Sequence, residues 1–400
     1  MWLSSWLLVV AAMPFVVLDA MAQHVQPMVR SGAVPSRGVN LGGWLVVEYW
    51  MSKQSPIWKD VPENVANGGE YQVMKHLGHA KGDDRFRQHR DAWITADDIA
   101  EIARYGLNTV RVPVGWWIMP NYATTTTVLV ATQYINYDSK LFAPGALGYL
   151  DALVNDWAVR YNVSVLVDIH SAPGSQNGRD HSAAPVLQDA AWTRQAGNVE
   201  RTLEVAQFLA DRYHHSLGFL GLELLNEPEG NVATNQGVNR PKLLEYYTNA
   251  VRNIRATGNN CVLVVSPLLT EQSTSAGPWA TFLRQQLVWH DWHKYLKWGF
   301  EGQSLTDIAT RGVDDIARDI SVWPGNAMFI GEWSLGHPDS ANGGFQDKSQ
   351  VKRYAANLVR AVNTAKAGWT FWSWRADTGL PFGEGWSMRD LLREGLLKLE

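Results

Sequence analysis

Gly221-Leu222-Glu223-Leu224-Leu225-Asn226-Glu227-Pro228 opens as an apolar, strand-like run and stops abruptly in Asn-Glu-Pro. Proline has no N–H for a sheet ladder, so the chain leaves the sheet by Pro228 and Glu227 stands where a buried strand emerges into a loop. A polar strand end of this kind needs no function. A second stretch changes the reading, because the apolar run Ala327-Met328-Phe329-Ile330-Gly331 also ends on an acid, in Glu332-Trp333. Two carboxylates at the same end of two strands ask for a fold in which those ends meet.

Outward from these two runs, similar apolar stretches recur at residues 37–41, 107–113, 163–168, 220–225, 261–266, 287–290, 327–331 and 369–374. Segments of helical spacing separate them, including a helix over 94–105 with Thr95 and Asp97 near its start. Alternating strand and helix is the signature of βα units and a parallel sheet. The count of such units predicts an α/β protein built as a closed (β/α)8 (TIM) barrel, with the polar residues gathered at the C-terminal ends of the strands, where such barrels carry their sites. An open doubly wound sheet is the alternative, but no Gly-rich phosphate loop follows the first strand. Residues 53–90 and 171–190 are rich in Gly, Pro and polar residues and read as insertions walling the mouth.

The chain has 400 residues and 46% hydrophobic content, enough for one large domain, taken as 23–400. Before it, residues 1–22 read as a secretory signal: an apolar segment is broken by Pro14 and followed by Ala20-Met21-Ala22. No Lys or Arg precedes that segment, which leaves an uncleaved anchor as the alternative. The expected location is therefore outside the cell or in the cell wall, with no stable membrane association after cleavage.

A net charge of −4 and the absence of Lys/Arg-rich runs give no field for phosphates, which excludes nucleic acid as a partner. The 20 Trp and 13 Tyr supply flat faces of the kind that stack on sugar rings, although most such side chains simply fill cores. A single cysteine, Cys261, allows no internal disulfide, so stability must come from the core. The glycosylation pattern Asn162-Val163-Ser164 runs straight into a predicted strand, which weighs against its use.

In a closed barrel Glu227 and Glu332 point across one mouth. Two opposed carboxylates are the minimal equipment for breaking a glycosidic bond: one protonates the leaving oxygen, and the other attacks the anomeric carbon or activates water. Arg111 ends a strand too apolar to hold a free charge and needs a carboxylate partner, for which Glu332 is the natural choice. His170 and His293 lie at two further strand ends, with Tyr295 close behind, as positioning groups for hydroxyls or for the acids. A metal site from His170, His293 and a glutamate has no H-x-x-x-H or H-x-H spacing behind it, so neither metal nor cofactor is expected.

Several ordered stretches carry a resemblance over about residues 36–375. They are Arg37-Gly38-Val39-Asn40-Leu41-Gly42-Gly43-Trp44, Val110-Arg111-Val112-Pro113, Asp168-Ile169-His170-Ser171, Gly174-Ser175-Gln176-Asn177-Gly178, Leu225-Asn226-Glu227-Pro228, Gly331-Glu332-Trp333 and Phe371-Trp372-Ser373-Trp374. Together they resemble the clan A, family five glycoside hydrolases, and among those the fungal-type exo-β-1,3-glucanases.

The resemblance implies a retaining hydrolase of β-glucan that releases glucose from non-reducing ends and works as a monomer. It makes Glu227 the acid/base and Glu332 the nucleophile. Asn226 would contact the sugar 2-hydroxyl, while Arg111, His170, His293 and Tyr295 hold the carboxylates and the ring. Glu48 and Asp180 would bind the terminal glucose region, with Trp372 as the platform under the ring and Trp298 as a clamp at the next subsite.

The chain departs from the pattern at Arg179-Asp180-His181, where those enzymes have an aromatic, an acid and an amide. The opposing clamp is thus missing, which opens the alternative of an endo-acting β-1,6- or β-1,4-glucanase. A catalytically silent carbohydrate-binding protein is the alternative from another class, but a pure binder needs no acid pair.

Overall fold

The computed structural model describes residues 24–120, 139–234, 236–274, 277–285, 287–338 and 344–399, so the expected secretory segment lies outside the described residues. Eight parallel strands form the frame: β1 Ser36–Asn40, β2 Thr109–Gly115, β3 Ser164–Ser171, β4 Phe219–Glu223, β5 Val262–Val265, β6 Val288–Lys294, β7 Ala327–Trp333 and β8 Gly368–Phe371. Each pairs with its sequence neighbours, and β1 also pairs with β8, which closes the barrel. Nearly every strand residue is buried, as expected where helices cover the outside and side chains fill the inside.

The lower half of the interior is apolar. Leu166, Leu220, Val262, Val264, Trp289 and Phe329 pack together there, and Val25 and Val29 of helix α1 (Val25–Ser31) seal them from below. The side chain of Gln26 donates to the Phe219 carbonyl at 2.8 Å, and the Val25 N–H donates to Asn162 Oδ1 at 2.7 Å, which anchors the plug. A second, larger apolar layer lies between strands and outer helices, where Cys261 is buried as a small hydrophobe. Among the described residues no helix is long and apolar enough to cross a membrane.

The strand bounds differ from expectation in an informative way. Polar residues lie inside strands more often than assumed: His170 is within β3, His293 within β6 and Glu332 within β7. In contrast, β4 stops at Glu223, so Glu227 is four residues past the strand and not its last residue. The stretch 53–90, read as an insertion walling the mouth, is mostly helical, with Glu63–Ala66, α2 (Gly69–Leu77) and the start of α3 (His79–Trp93). The expected helix over 94–105 is α4, Ala96–Arg104, opened by a reciprocal Thr95/Asp98 capping box.

Gly221, inside the decisive stretch, has a specific task. Val165 pairs with Phe219 while the next residue, Leu166, pairs with Gly221, so Leu220 is an extra residue in the ladder. This bulge lets Leu220 join the lower interior while Glu223, three residues on, also reaches the barrel centre. A Cβ at Gly221 would lie 1.9 Å from the Val262 carbonyl oxygen, so only glycine fits where β4 meets β5.

Candidate active site

The site is built on Arg111, which is fully buried in β2. Its Nε donates to Glu223 Oε2 at 2.7 Å, Nη1 to Asn40 Oδ1 at 2.8 Å and Glu332 Oε1 at 3.0 Å, and Nη2 to Asn226 Oδ1 at 2.9 Å. Nη2 also lies 3.2 Å from Asp168 Oδ2. Burial disfavours this charge, but Asp168, Glu223 and Glu332 outweigh it and raise the pKa well above the ordinary arginine value. The guanidinium therefore positions two of the expected site residues, Glu332 and Asn226, as a rigid fork.

Around the second cation the same logic repeats. His293 Nδ1 lies 2.7 Å from Glu227 Oε1 and 3.3 Å from Glu332 Oε2, and Nε2 lies 2.8 Å from Asp291 Oδ2. Burial pulls the imidazole down, but Glu332, Asp291 and Glu227 reverse this and push its pKa well above 6.5. Asp291 is itself fixed by the Gly331 N–H, which donates to Oδ1 at 2.6 Å. A Cβ at Gly331 would meet that oxygen at 2.5 Å.

Glu227 sits in left-handed backbone with φ 42°. Two bonds hold the turn: Gln176 Nε2 donates to the Asn226 carbonyl at 2.9 Å, and the Glu229 N–H donates to the Gln176 carbonyl at 2.9 Å. Strained backbone of this type persists only where its surroundings over-determine it. Burial pushes the Glu227 carboxyl up, but the His293 hydrogen bond and charge, with help from His181 and His170, bring it down to about 2. Tyr295 donates to Glu332 Oε2 at 2.6 Å, so both Glu332 oxygens are held.

Oxygens of Glu227 and Glu332 and a His293 nitrogen all lie within 4.8 Å of one another, as do donor atoms of Glu223, Asp291 and His293. Either trio has the composition to hold a metal ion. Their existing partners, Arg111 and Tyr295 among them, already account for the convergence.

These groups open into a cleft of about 620 Å3. Of the expected site residues, Glu48, His170, Asp180, Glu227, His293, Tyr295, Trp298, Glu332 and Trp372 line it, with Arg111 and Asn226 just beneath. His170 stacks on Trp372 with ring centres 5.5 Å apart and planes at 10°, while its Nδ1 lies 2.6 Å from Asp168 Oδ2. Glu48 accepts from Trp50 Nε1 at 2.7 Å, and burial together with the Asp180 charge raises its pKa well above 4.5. Buried Glu48 Oε1, His170 Nε2 and Asn226 Nδ2 find no hydrogen-bond partner among the described residues. Natively folded chains rarely leave such groups unpaired, so they mark places where a ligand's hydroxyls fit.

Trp298 stands 61% exposed at the cleft's outer edge, against Tyr295 and Trp386. Trp50 and Trp386 also line the cleft and were not anticipated. Nor were Asn40, Asp168, Glu223 and Asp291, which order the two cations. A signal existed for the three acids: each is a carboxylate inside a buried strand, the argument that singled out Arg111. Trp386 lies beyond β8, and only the fold brings it back to the cleft.

The family model for cellulase (glycosyl hydrolase family 5) matches residues 67–378. A probable glucan endo-1,6-beta-glucosidase B of Neosartorya fischeri is 30% identical over 90% of this chain and 86% of that protein. A glucan 1,3-beta-glucosidase of Blumeria graminis is 29% identical over 90% of this chain and 86% of that protein. The rutinosidase of Aspergillus niger has the same fold, with a TM-score of 0.74 at 17% identity over 92% of this chain and 99% of that one. With the family match spanning most of the barrel and its strand ends, the chain belongs to glycosyl hydrolase family 5 and is a glycosidase.

Proposed function

We propose that this glycosidase hydrolyses β-glucan with retention, Glu332 serving as nucleophile and Glu227 as acid/base. The observation that carries the reading is the closeness of the two acids: both touch His293 Nδ1, and their nearest oxygens lie within 4.8 Å. Retaining enzymes hold their carboxyl groups about 5–5.5 Å apart, whereas inverting ones leave about 6.5–9.5 Å for a water. An oxygen-to-oxygen approach within 4.8 Å supports the retaining arrangement.

In the first step Glu332, oriented by Arg111 and Tyr295, attacks the anomeric carbon while the bond to the leaving oxygen breaks. The leaving oxygen takes a proton from Glu227. In the free enzyme His293 Nδ1, 2.7 Å from Glu227 Oε1, holds the carboxyl down to about 2. A bound acetal oxygen displaces water around Glu227 and favours its protonated form, with the proton from solvent on Oε2, the oxygen His293 leaves free. In the second step Glu227 takes a proton from water, which attacks the glycosyl-enzyme and frees Glu332. Four carboxylates, Asp168, Glu227, Asp291 and Glu332, surround the two cations Arg111 and His293, while burial raises the pKa of a fifth acid, Glu223, well above 4.5 despite Arg111; the developing positive charge on the sugar meets a net negative field.

Asn226 offers its amide N–H groups to the 2-hydroxyl, because Arg111 occupies its oxygen. Glu48 and His170 take further hydroxyls, and Trp372 lies under the ring. We read the action as trimming of glucose from β-1,3-glucan ends. A second reading, β-1,6-glucan cut internally, is favoured by Arg179 standing where a clamp aromatic would be, and by the relative named an endo-1,6-beta-glucosidase. In both readings residues 23–400 form the catalytic domain, and residues 1–22 direct it out of the cell.

The test is a product profile on laminarin, pustulan and cellooligosaccharides, with anomeric configuration followed by NMR. Early glucose from laminarin with β-configuration is expected. Oligosaccharides from pustulan would move the assignment to the second reading, and an α-anomer as first product would end the proposed chemistry.

A further inference from the structure

Residues Arg179 to His181 line the cleft beside Glu227. Glu227 Oε1 is taken by His293, which leaves Oε2 to face the scissile bond. The one other side chain in ion-pair range of Glu227 among the described residues is His181, whose Nε2 lies 3.6 Å from Oε2. That separation is too long for a hydrogen bond, yet one oxygen atom fits at bonding distance from both. His181 also lies against His170, with ring centres 5.4 Å apart.

The ring is not a loose rim group. Ser175 and Ser182 hydroxyls meet at 2.6 Å across its loop, and Ser171 donates to the Ser182 carbonyl at 2.5 Å. On the outside, Arg179 donates from Nε and Nη2 to the Glu229 carboxylate at 2.9–3.1 Å. Glu229 is two residues past Glu227, so this brace ties the loop of His181 to the loop of the acid. From the other side, helix α2 comes so close that a Cβ on Gly69 would lie 2.2 Å from the Asp180 carbonyl oxygen.

We propose that His181 is a positioning residue for Glu227: it bridges the acid's Oε2 to the leaving-group oxygen and steers the proton toward it, with the Arg179–Glu229 pair holding it in place. The proposal rests on the acid/base role given to Glu227 above. The groups facing His181 are Asp180 on its own loop, His170 on β3, Glu227 after β4 and Glu332 on β7. Burial lowers the His181 pKa below 6.5, with Glu227 the largest opposing charge, so the ring meets Oε2 chiefly as a neutral hydrogen-bonding group.

The experiment compares full-length wild type, His181→Ala, His181→Asn and Glu229→Gln, after checking that their melting curves coincide. For each, kcat/KM is measured across pH on the glucan that wild type cleaves and on a dinitrophenyl β-glucoside, whose departure needs no proton. With His181→Ala, kcat/KM on glucan is expected to drop about 10-fold, the size of one lost hydrogen bond, and to change less than about twofold on the dinitrophenyl substrate. His181→Asn recovers most of the loss, and Glu229→Gln shows a smaller loss of the same pattern. An equal loss on both substrates, or no loss at all, overturns the proposal. Glu332→Ala run alongside separates the two readings. If it is dead while His181→Ala matches wild type, only the role of His181 falls; if it retains turnover, the acid pair falls and the role of His181 with it.

Discussion

The two halves of the barrel interior are made from the same strands and have opposite chemistry. Below, Leu166, Leu220, Val262, Val264, Trp289 and Phe329 close on the α1 plug. Above, a few residues further along each strand, Arg111, Asp168, Glu223, Asp291, His293 and Glu332 form one charged network. The lower half gains from removing apolar surface from water. The upper half opposes folding by desolvating charges and is tolerable only because every charge has a partner. One half supplies stability, and the other spends part of it on a prepared site.

The largest expected effect lies at the top and touches activity alone. Glu332→Ala should reduce turnover by roughly 10^5-fold or more while urea unfolding stays within about 1 kcal/mol of wild type, since Arg111 keeps two other carboxylates. Substantial residual hydrolysis of laminarin by that variant would falsify the nucleophile assignment. Next, Glu227→Ala should cost about 10^2–10^4-fold on glucan. With a dinitrophenyl glucoside it should still form the glycosyl-enzyme and stall there, visible as a burst of phenolate and as covalent mass.

Arg111→Met joins the two properties. It leaves Asp168, Glu223 and Glu332 facing one another in the interior, so a loss of about 3–5 kcal/mol in unfolding free energy is expected along with the loss of turnover. Little change in stability would mean that the upper half is wetter and less costly than its buried ion pairs imply. In the lower half Leu166→Ala should cost about 2–5 kcal/mol, with kcat/KM per folded molecule unchanged. An activity loss there would show that the halves are not separable.

The smallest effect is a pH slope. Burial pushes the Glu70 carboxyl up to about 7, with Arg90 and the Val47 N–H offsetting only part. A folded pKa above the unfolded value means that Glu70 favours the native state most below about pH 4.5. The contribution, about 3 kcal/mol at most, is lost as pH rises through about 7. Glu70→Gln should flatten stability over that window in denaturant titrations. Glu70 supports the backbone next to Glu48, so the variant should also raise KM slightly.

Much of this was legible in the residues. Eight apolar runs separated by helical spacing specified a parallel sheet buried on both faces, and their number with the missing Gly-rich phosphate loop favoured a closed barrel over an open doubly wound sheet. Glu227 and Glu332 were legible as acids at strand ends, and Arg111 as a charge needing a partner. Asp168, Glu223 and Asp291 were less visible because they sit within apolar runs, and Glu223 reaches the interior only through the bulge at Leu220 and Gly221. The stretch 53–90 was legible as an insertion but not as helices, because its Gly and polar residues carry weak helix propensity and packing around Val73, Met74 and Phe86 stabilises them.

By itself the sequence determined the barrel and the family and singled out Glu227 and Glu332 as candidate acids, since hydrophobic period and residue type are local properties. Only the tertiary structure decided which cation each acid touches, how close Glu227 and Glu332 come, and that His181 and Trp386 reach the same cleft. Those are distances between segments far apart in the chain, set by barrel closure and loop packing, and no local pattern encodes them.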